Sequence, residues 1–239
     1  MPLPTIATPS YTLEIPSIKK EIKYRPFLVK EEKILIIAME SEDSKQIAEA
    51  VKTVISNCIL TKGIKVDQLA TFDIEYLFLN IRGKSVGETV DVLITCPDDG
   101  KTQIPVSINL DEIKINISKE HTKDIKLDSN LTLRMKYPSM REFIKTNFGN
   151  NFNMSVDDTF ELILSCIEQV YNQDESWAAS DCTQKELSDF IEQLTSNQFK
   201  EVEKFFSTMP KLSHTLKIKN PNTGIESEVL LEGLSSFFA

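Results

Sequence analysis

Hydrophobic positions along the chain change their period several times, and each change predicts an element. Ser41-Glu42-Asp43-Ser44 supplies cap candidates, and Ile47, Val51, Val54, Ile55 and Cys58 follow at helical spacing up to a stop at Gly63. A second amphipathic helix begins near Asp73, with Ile74, Leu77, Phe78 and Ile81 on one face. The period then drops to two. Thr89 to Thr95 and Gln103 to Asn109 read as strands joined by the turn Cys96-Pro97-Asp98-Asp99-Gly100. Ile125 to Met135 reads as strand folded around Asp128-Ser129-Asn130. Helical spacing returns after Pro138, with Met140, Phe143 and Ile144. It is strongest after Ser155, where Phe160, Ile163, Leu164, Ile167, Val170 and Tyr171 predict about four turns of helix. Thr183-x-x-Glu186 and Thr195-x-x-Gln198 have capping-box form ahead of two further helices, the second ended by Pro210. Finally, His214 to Lys219 and Glu226 to Leu231 predict a hairpin around Asn220-Pro221-Asn222-Thr223-Gly224. Both hairpin turns follow one plan, x-Pro-(Asp/Asn)-x-Gly, too short to establish a repeat.

Ahead of these elements, five of the chain's 10 prolines fall within the first 26 residues. Proline withholds amide donors and disfavours helix before it, so residues 1–30 are expected to form an extended arm. Tyr11 to Ile15 alternates within it like an edge strand, and the arm offers Tyr11 and Leu13 to a neighbour. The expected organisation is this arm, an α+β region at 31–137 with a central antiparallel sheet, and a helical region at 138–239. The last region closes on a β-hairpin and an apolar tail. The fold class is α+β, with small antiparallel sheets and hairpins plus a C-terminal helical region.

Composition narrows function by exclusion. Among 239 residues, 41% are apolar and 26% charged, which suits a packed core. Lys and Arg number 27 against 36 Asp and Glu, for a net charge of −9. Such a chain repels phosphate backbones, so no nucleic-acid partner is expected. The longest aliphatic run, Ile34 to Met39, is far short of a bilayer span, and MPLPTIATPS lacks the basic flank and apolar stretch of an export leader. Cys58, Cys96, Cys166 and Cys182 form no CxxC pair and read as buried free thiols in a reducing cytoplasm. His121, in a polar loop expected to be solvated, and His214 have no nucleophile motif beside them. Gly83-Lys84-Ser85 matches the end of a phosphate-binding loop, but Phe78 stands where the first glycine is needed and the preceding residues are helical. A zinc knuckle at Cys96 would need a second Cys at Asp98 or Asp99. No catalytic, cofactor-binding or metal-ligating residue is therefore assigned, and no cofactor is expected. An extended arm, an acidic surface and an apolar tail instead fit a protein that works by contact with other proteins.

The order of segments is also familiar. Phe72 to Glu88 (FDIEYLFLNIRGKSVGE) runs into the Cys96–Gly100 hairpin. The C-terminal part combines Gln198-Phe199, Phe205-Phe206, Met209 to His214 and Leu231-Glu232-Gly233-Leu234, closing on Phe237-Phe238. From about Tyr24 to Phe238 the chain resembles the baseplate hub subunit family of T-even-type contractile-tailed bacteriophages. The resemblance implies a non-enzymatic structural or assembly subunit of the phage tail baseplate hub. It would be made in the host cytoplasm, act on other baseplate hub proteins, and possess no membrane span. Two alternatives stand beside it: a transient assembly chaperone absent from the mature virion, and a hub-associated envelope hydrolase. Candidate contact residues are Tyr11, Leu13, Arg82, Lys84, Leu234, Phe237 and Phe238.

Overall fold

A computed structural model describes residues 6–140 and 156–233. Strands β1 (Tyr11–Ile15) and β2 (Lys20–Tyr24) form an antiparallel hairpin, with Tyr11 opposite Tyr24 and Leu13 opposite Ile22. Alternation places Ile15, Ile22 and Tyr24 on one side, and all three are almost wholly buried. The segment expected to be an arm is therefore a core hairpin. Its turn is fastened by Asp73, which accepts hydrogen bonds from the Ser17 N–H and hydroxyl. Prolines flank the hairpin without interrupting its ladder.

Helices α1 (Val29–Glu40), α2 (Ser44–Cys58) and α3 (Thr71–Val86) follow. Asp43 caps α2 by accepting from the Lys45 N–H, and α3 gives way at Gly87, whose φ of 142° suits glycine. β3 (Thr89–Thr95) and β4 (Gln103–Asn109) form the expected hairpin, and β5 (Lys114–Asn116) is a short strand beyond it.

Next come β6 (Asp124–Lys126) and β7 (Thr132–Met135), then α4 (Val156–Ser165), β8 (Ile167–Tyr171) and β9 (Ser176–Ala178). These strands form one antiparallel sheet in the order β6-β7-β8-β9. The expected four-turn helix is thus cut after Ser165, and Ile167, Val170 and Tyr171 belong to a strand. Their β-branched and aromatic character pairs with the free side of β7, where Leu133 faces Val170. The helix expected after Pro138 falls, beyond Met140, outside the described residues. α5 (Gln184–Glu192) and α6 (Ser196–Thr208) each open on the predicted capping box, Thr183 with Glu186 and Thr195 with Gln198. β10 (Lys211–Lys219) and β11 (Glu226–Glu232) end the described chain, in a sheet ordered β11-β10-β5. Six α-helices and eleven strands in small antiparallel sheets make the described residues α+β.

The chain divides into two compact units, one of residues 1–116 with 211–239, the other Ile117–Pro210. These borders lie elsewhere than the divisions expected at residues 30 and 137. In the first unit, Val92, Ile94 and Ile108 of one hairpin share a core with Leu216, Ile218 and Leu231 of the other and with Leu79 of α3. In the second, Ile125, Leu133 and Val170 of the sheet pack with Ile191, Val202 and Phe205 of the helices.

Candidate functional site

The two turns of like plan meet in the first unit. Gly100 and Gly224 both have positive φ, and their N–H groups bond back to the Cys96 and Asn220 carbonyls. Asn220, 1% exposed, donates from Nδ2 to both carboxyl oxygens of Asp98 at 3.0 Å and to Asp99 at 3.1 Å. The Thr223 hydroxyl donates to Asp98, and Asn222 donates to the Thr102 hydroxyl. Thr223 and Asn220 hold the Asp98 carboxyl below its usual range, while Thr102, backbone N–H groups and Asn220 do the same for Asp99. The arrangement is a polar clasp between hairpin tips. Among the described residues no group of three or more His, Cys, Asp or Glu could hold a metal ion.

Groups with catalytic potential have other occupations. His121 is half-buried, where a solvated side chain was expected. Nδ1 lies 3.1 Å from the Thr208 hydroxyl and Nε2 lies 3.0 Å from the Tyr137 hydroxyl, with the ring packed against Tyr137 and Phe205. Burial, helped by Lys123, lowers its pKa, so the ring is a neutral bridge at pH 7. Cys58, Cys96 and Cys166 are buried as expected, while Cys182 is half-buried. Desolvation pushes the Cys58 thiol up to about 11, far from a reactive thiolate. Gly83-Lys84-Ser85 lies within α3, with Gly83 beneath Leu110 and Lys84 paired to Glu88 and Asp111. It forms no phosphate-cradling loop.

Of the candidate contact residues, Tyr11 and Lys84 come together: the Lys84 ammonium is 5.9 Å from the Tyr11 ring centre. Leu13 is half-buried two residues along β1, and Arg82 is half-buried in α3. Leu234, Phe237 and Phe238 lie outside the described residues.

A larger apolar surface lies on α1. Glu31 and Ala38 face inward, with Ile34 and Leu35 half-buried. Val29 (79% exposed), Ile36, Ile37 and Met39 (63% exposed) face solvent. Val29, Ile36 and Met39 share one side, being seven and then three residues apart. From Ile34 to Met39 the helix is apolar around its whole circumference, a composition suited to complete enclosure. The run is too short for a membrane span, the one role its sequence had suggested testing. The usable signal was the absence of a polar face opposite the buried one.

Comparisons with known proteins place the chain in a family. The family described as T4 bacteriophage base plate protein matches residues 8–239. The chain belongs to this family. A base plate relative, the "Baseplate hub assembly protein gp26" of Enterobacteria phage T4, is 24% identical over 231 residues, spanning 95% of this chain and 97% of the relative. No solved structure matches. Among the described residues of this base plate family member, no helix is long and apolar enough to cross a membrane.

Proposed function

We propose that this protein is a non-enzymatic structural or assembly subunit of the phage tail baseplate hub, acting through contacts with other hub proteins in the host cytoplasm. Family membership supports the baseplate setting, and the name of the T4 relative favours the assembly role. The observation that carries the contact mechanism is the solvent-facing aliphatic side of α1. Val29, Ile36 and Met39 cover the apolar patch of another hub subunit, and the Tyr11–Leu13 edge with Lys84 is a second contact. An envelope hydrolase using His121 or Cys58 is disfavoured, because His121 is held between two hydroxyls and the Cys58 thiol is pushed up to about 11.

The test is capture of co-expressed baseplate proteins by the tagged chain. Ile36→Lys combined with Met39→Lys should leave stability within about 0.5 kcal/mol of the parent, since both side chains are exposed, yet abolish capture. Undiminished capture by a folded double variant excludes α1 as the contact. Mass spectrometry of purified particles then separates the roles: peptides from this chain mark a retained subunit, and their absence marks a transient factor.

A further inference from the structure

The second unit carries a different contact strip, at the open side of β9. β9 pairs only with β8 among the described residues and forms the border of the sheet. An unpaired border is a template for another chain, and natural sheets guard such borders with charge or proline. Among the described residues every other exposed border is guarded. Within their strands, β1 has Glu14, β4 contains Pro105, β3 has Asp91, β5 has Lys114, β6 has Asp124 and Lys126, and β11 has three glutamates. The outer side of β2 is occupied by residues near Ile59 and carries charge besides. β9 reads Ser176-Trp177-Ala178, with neither guard.

Its geometry suits an added strand. Hydrogen-bonded and non-bonded pairs alternate in an antiparallel ladder, and the turn closed by Asn172 N–H to the Glu175 carbonyl makes Val170–Trp177 a bonded pair. Ser176 and Ala178 therefore aim their backbone groups outward, although the Ala178 carbonyl also receives the Cys182 thiol at 3.4 Å. Trp177 ends a row running Ile125, Leu133, Val170, Trp177 across one face of the sheet. The first three are buried, whereas the chain's single Trp remains 43% exposed. A further strand would continue that row and cover the indole, the kind of side chain that dominates contact energies.

Charge specifies the occupant. Between residues 168 and 192 lie Glu168, Asp174, Glu175, Asp181, Glu186, Asp189 and Glu192, all exposed, against the single cation Lys185. We infer that β9 receives an extended, Lys- or Arg-rich segment of a partner protein by strand addition, with Trp177 as the apolar anchor. The inference rests on the contact function proposed above but concerns a separate surface.

Trp177, as the sole indole, reports directly. Titrating the full-length protein with a fluorescein-labelled peptide of alternating Lys and Val should give a saturable blue shift in tryptophan emission, with a matching rise in peptide anisotropy. Raising salt from about 0.05 to about 0.5 M should weaken binding, because the charges are exposed. Ser176→Pro removes an outward N–H while sparing the β8 ladder, and should weaken binding about tenfold or more with an unchanged circular dichroism spectrum. Equal binding of an alternating Glu and Val peptide, absence of saturation, or undiminished binding to folded Ser176→Pro each overturns the inference. Loss of partner capture in the α1 double variant, found together with a peptide-blind protein, would retain the proposed function and remove only this site.

Discussion

Glu31 has no exposed surface, yet it carries a charge. Burial alone would raise its carboxyl; the Arg25 guanidinium at 3.0 Å and the Leu28 N–H at 2.9 Å outweigh that and hold it below its usual value. Replacing Arg25 by Met leaves this buried carboxylate only the Lys30 ammonium at 3.5 Å and the Leu28 N–H, and should destabilise the protein by about 3 kcal/mol, read from the urea midpoint. The pH dependence follows from the direction of the shift. A depressed carboxyl contributes fully above its ordinary value of 4.5, and the contribution is lost as pH falls from there toward the folded value. Glu31→Gln should flatten that acid limb. His121 obeys the same sign in another window. Its folded pKa lies below the ordinary 6.5, so its contribution is complete above that pH and wanes on acidification. Thermal unfolding at pH 7.5 and 5.5 should show a loss in the parent that His121→Phe reduces. Asn220 supplies a third case. Asn220→Ala removes the bonds from its Nδ2 to Asp98 and Asp99 and leaves the clasp only its Thr223 and Asn222 bonds, which should cost about 1–3 kcal/mol. Asn220→Asp adds a third carboxylate beside Asp98 and Asp99, so its penalty should shrink as pH is lowered.

Among elements, those with a local signature were legible. Thr183 and Thr195 announce their helices because the capping box is completed within four residues, and replacing either with Ala should cost about 1 kcal/mol by chemical denaturation. The two Pro-x-x-Gly turns were equally local; their mutual hydrogen bonding, across 120 residues or more, was not. At Ile167 to Tyr171 the spacing satisfied a helix and a strand alike, and tertiary pairing decided. Ser165 stops α4 there, its hydroxyl bonding the Leu162 carbonyl and Cys166 closing the turn, which frees Ile167 to join β7. The N-terminal hairpin was misjudged because proline content says where hydrogen bonds are missing, not what the intervening residues bury. Of the proposed contact residues, Tyr11 and Lys84 were named separately from the sequence and only the fold brings them together, while Ile36, Met39 and Trp177 were not named. For Ile36 and Met39 the run apolar on every side was a readable signal, whereas the exposure of Trp177 is a property of packing that no period in the sequence encodes.

At the scale of the whole molecule, the second unit is one continuous segment and the first is completed from both sides of it. Nothing local reveals this, because the pairing of β5 with β10 joins residues almost a hundred positions apart. Continuity predicts that residues 117–210, expressed alone, fold with native-like circular dichroism and cooperative unfolding, since their core is their own. This segment also holds sixteen acidic residues against ten Lys and Arg, a net −6 of the chain's −9. The acidity inferred from composition is thus concentrated in one unit, the same unit that carries the proposed β9 strip.

Asn116 and Lys211, the residues that bracket that segment, stand opposite each other as rungs of the same ladder. A reverse turn of a few residues could join them directly, so a single splice in the gene could add or remove the entire intervening body without disturbing the sheet it leaves behind. The architecture is modular in the literal sense, and a shortened homologue would announce itself by a β-hairpin at this junction.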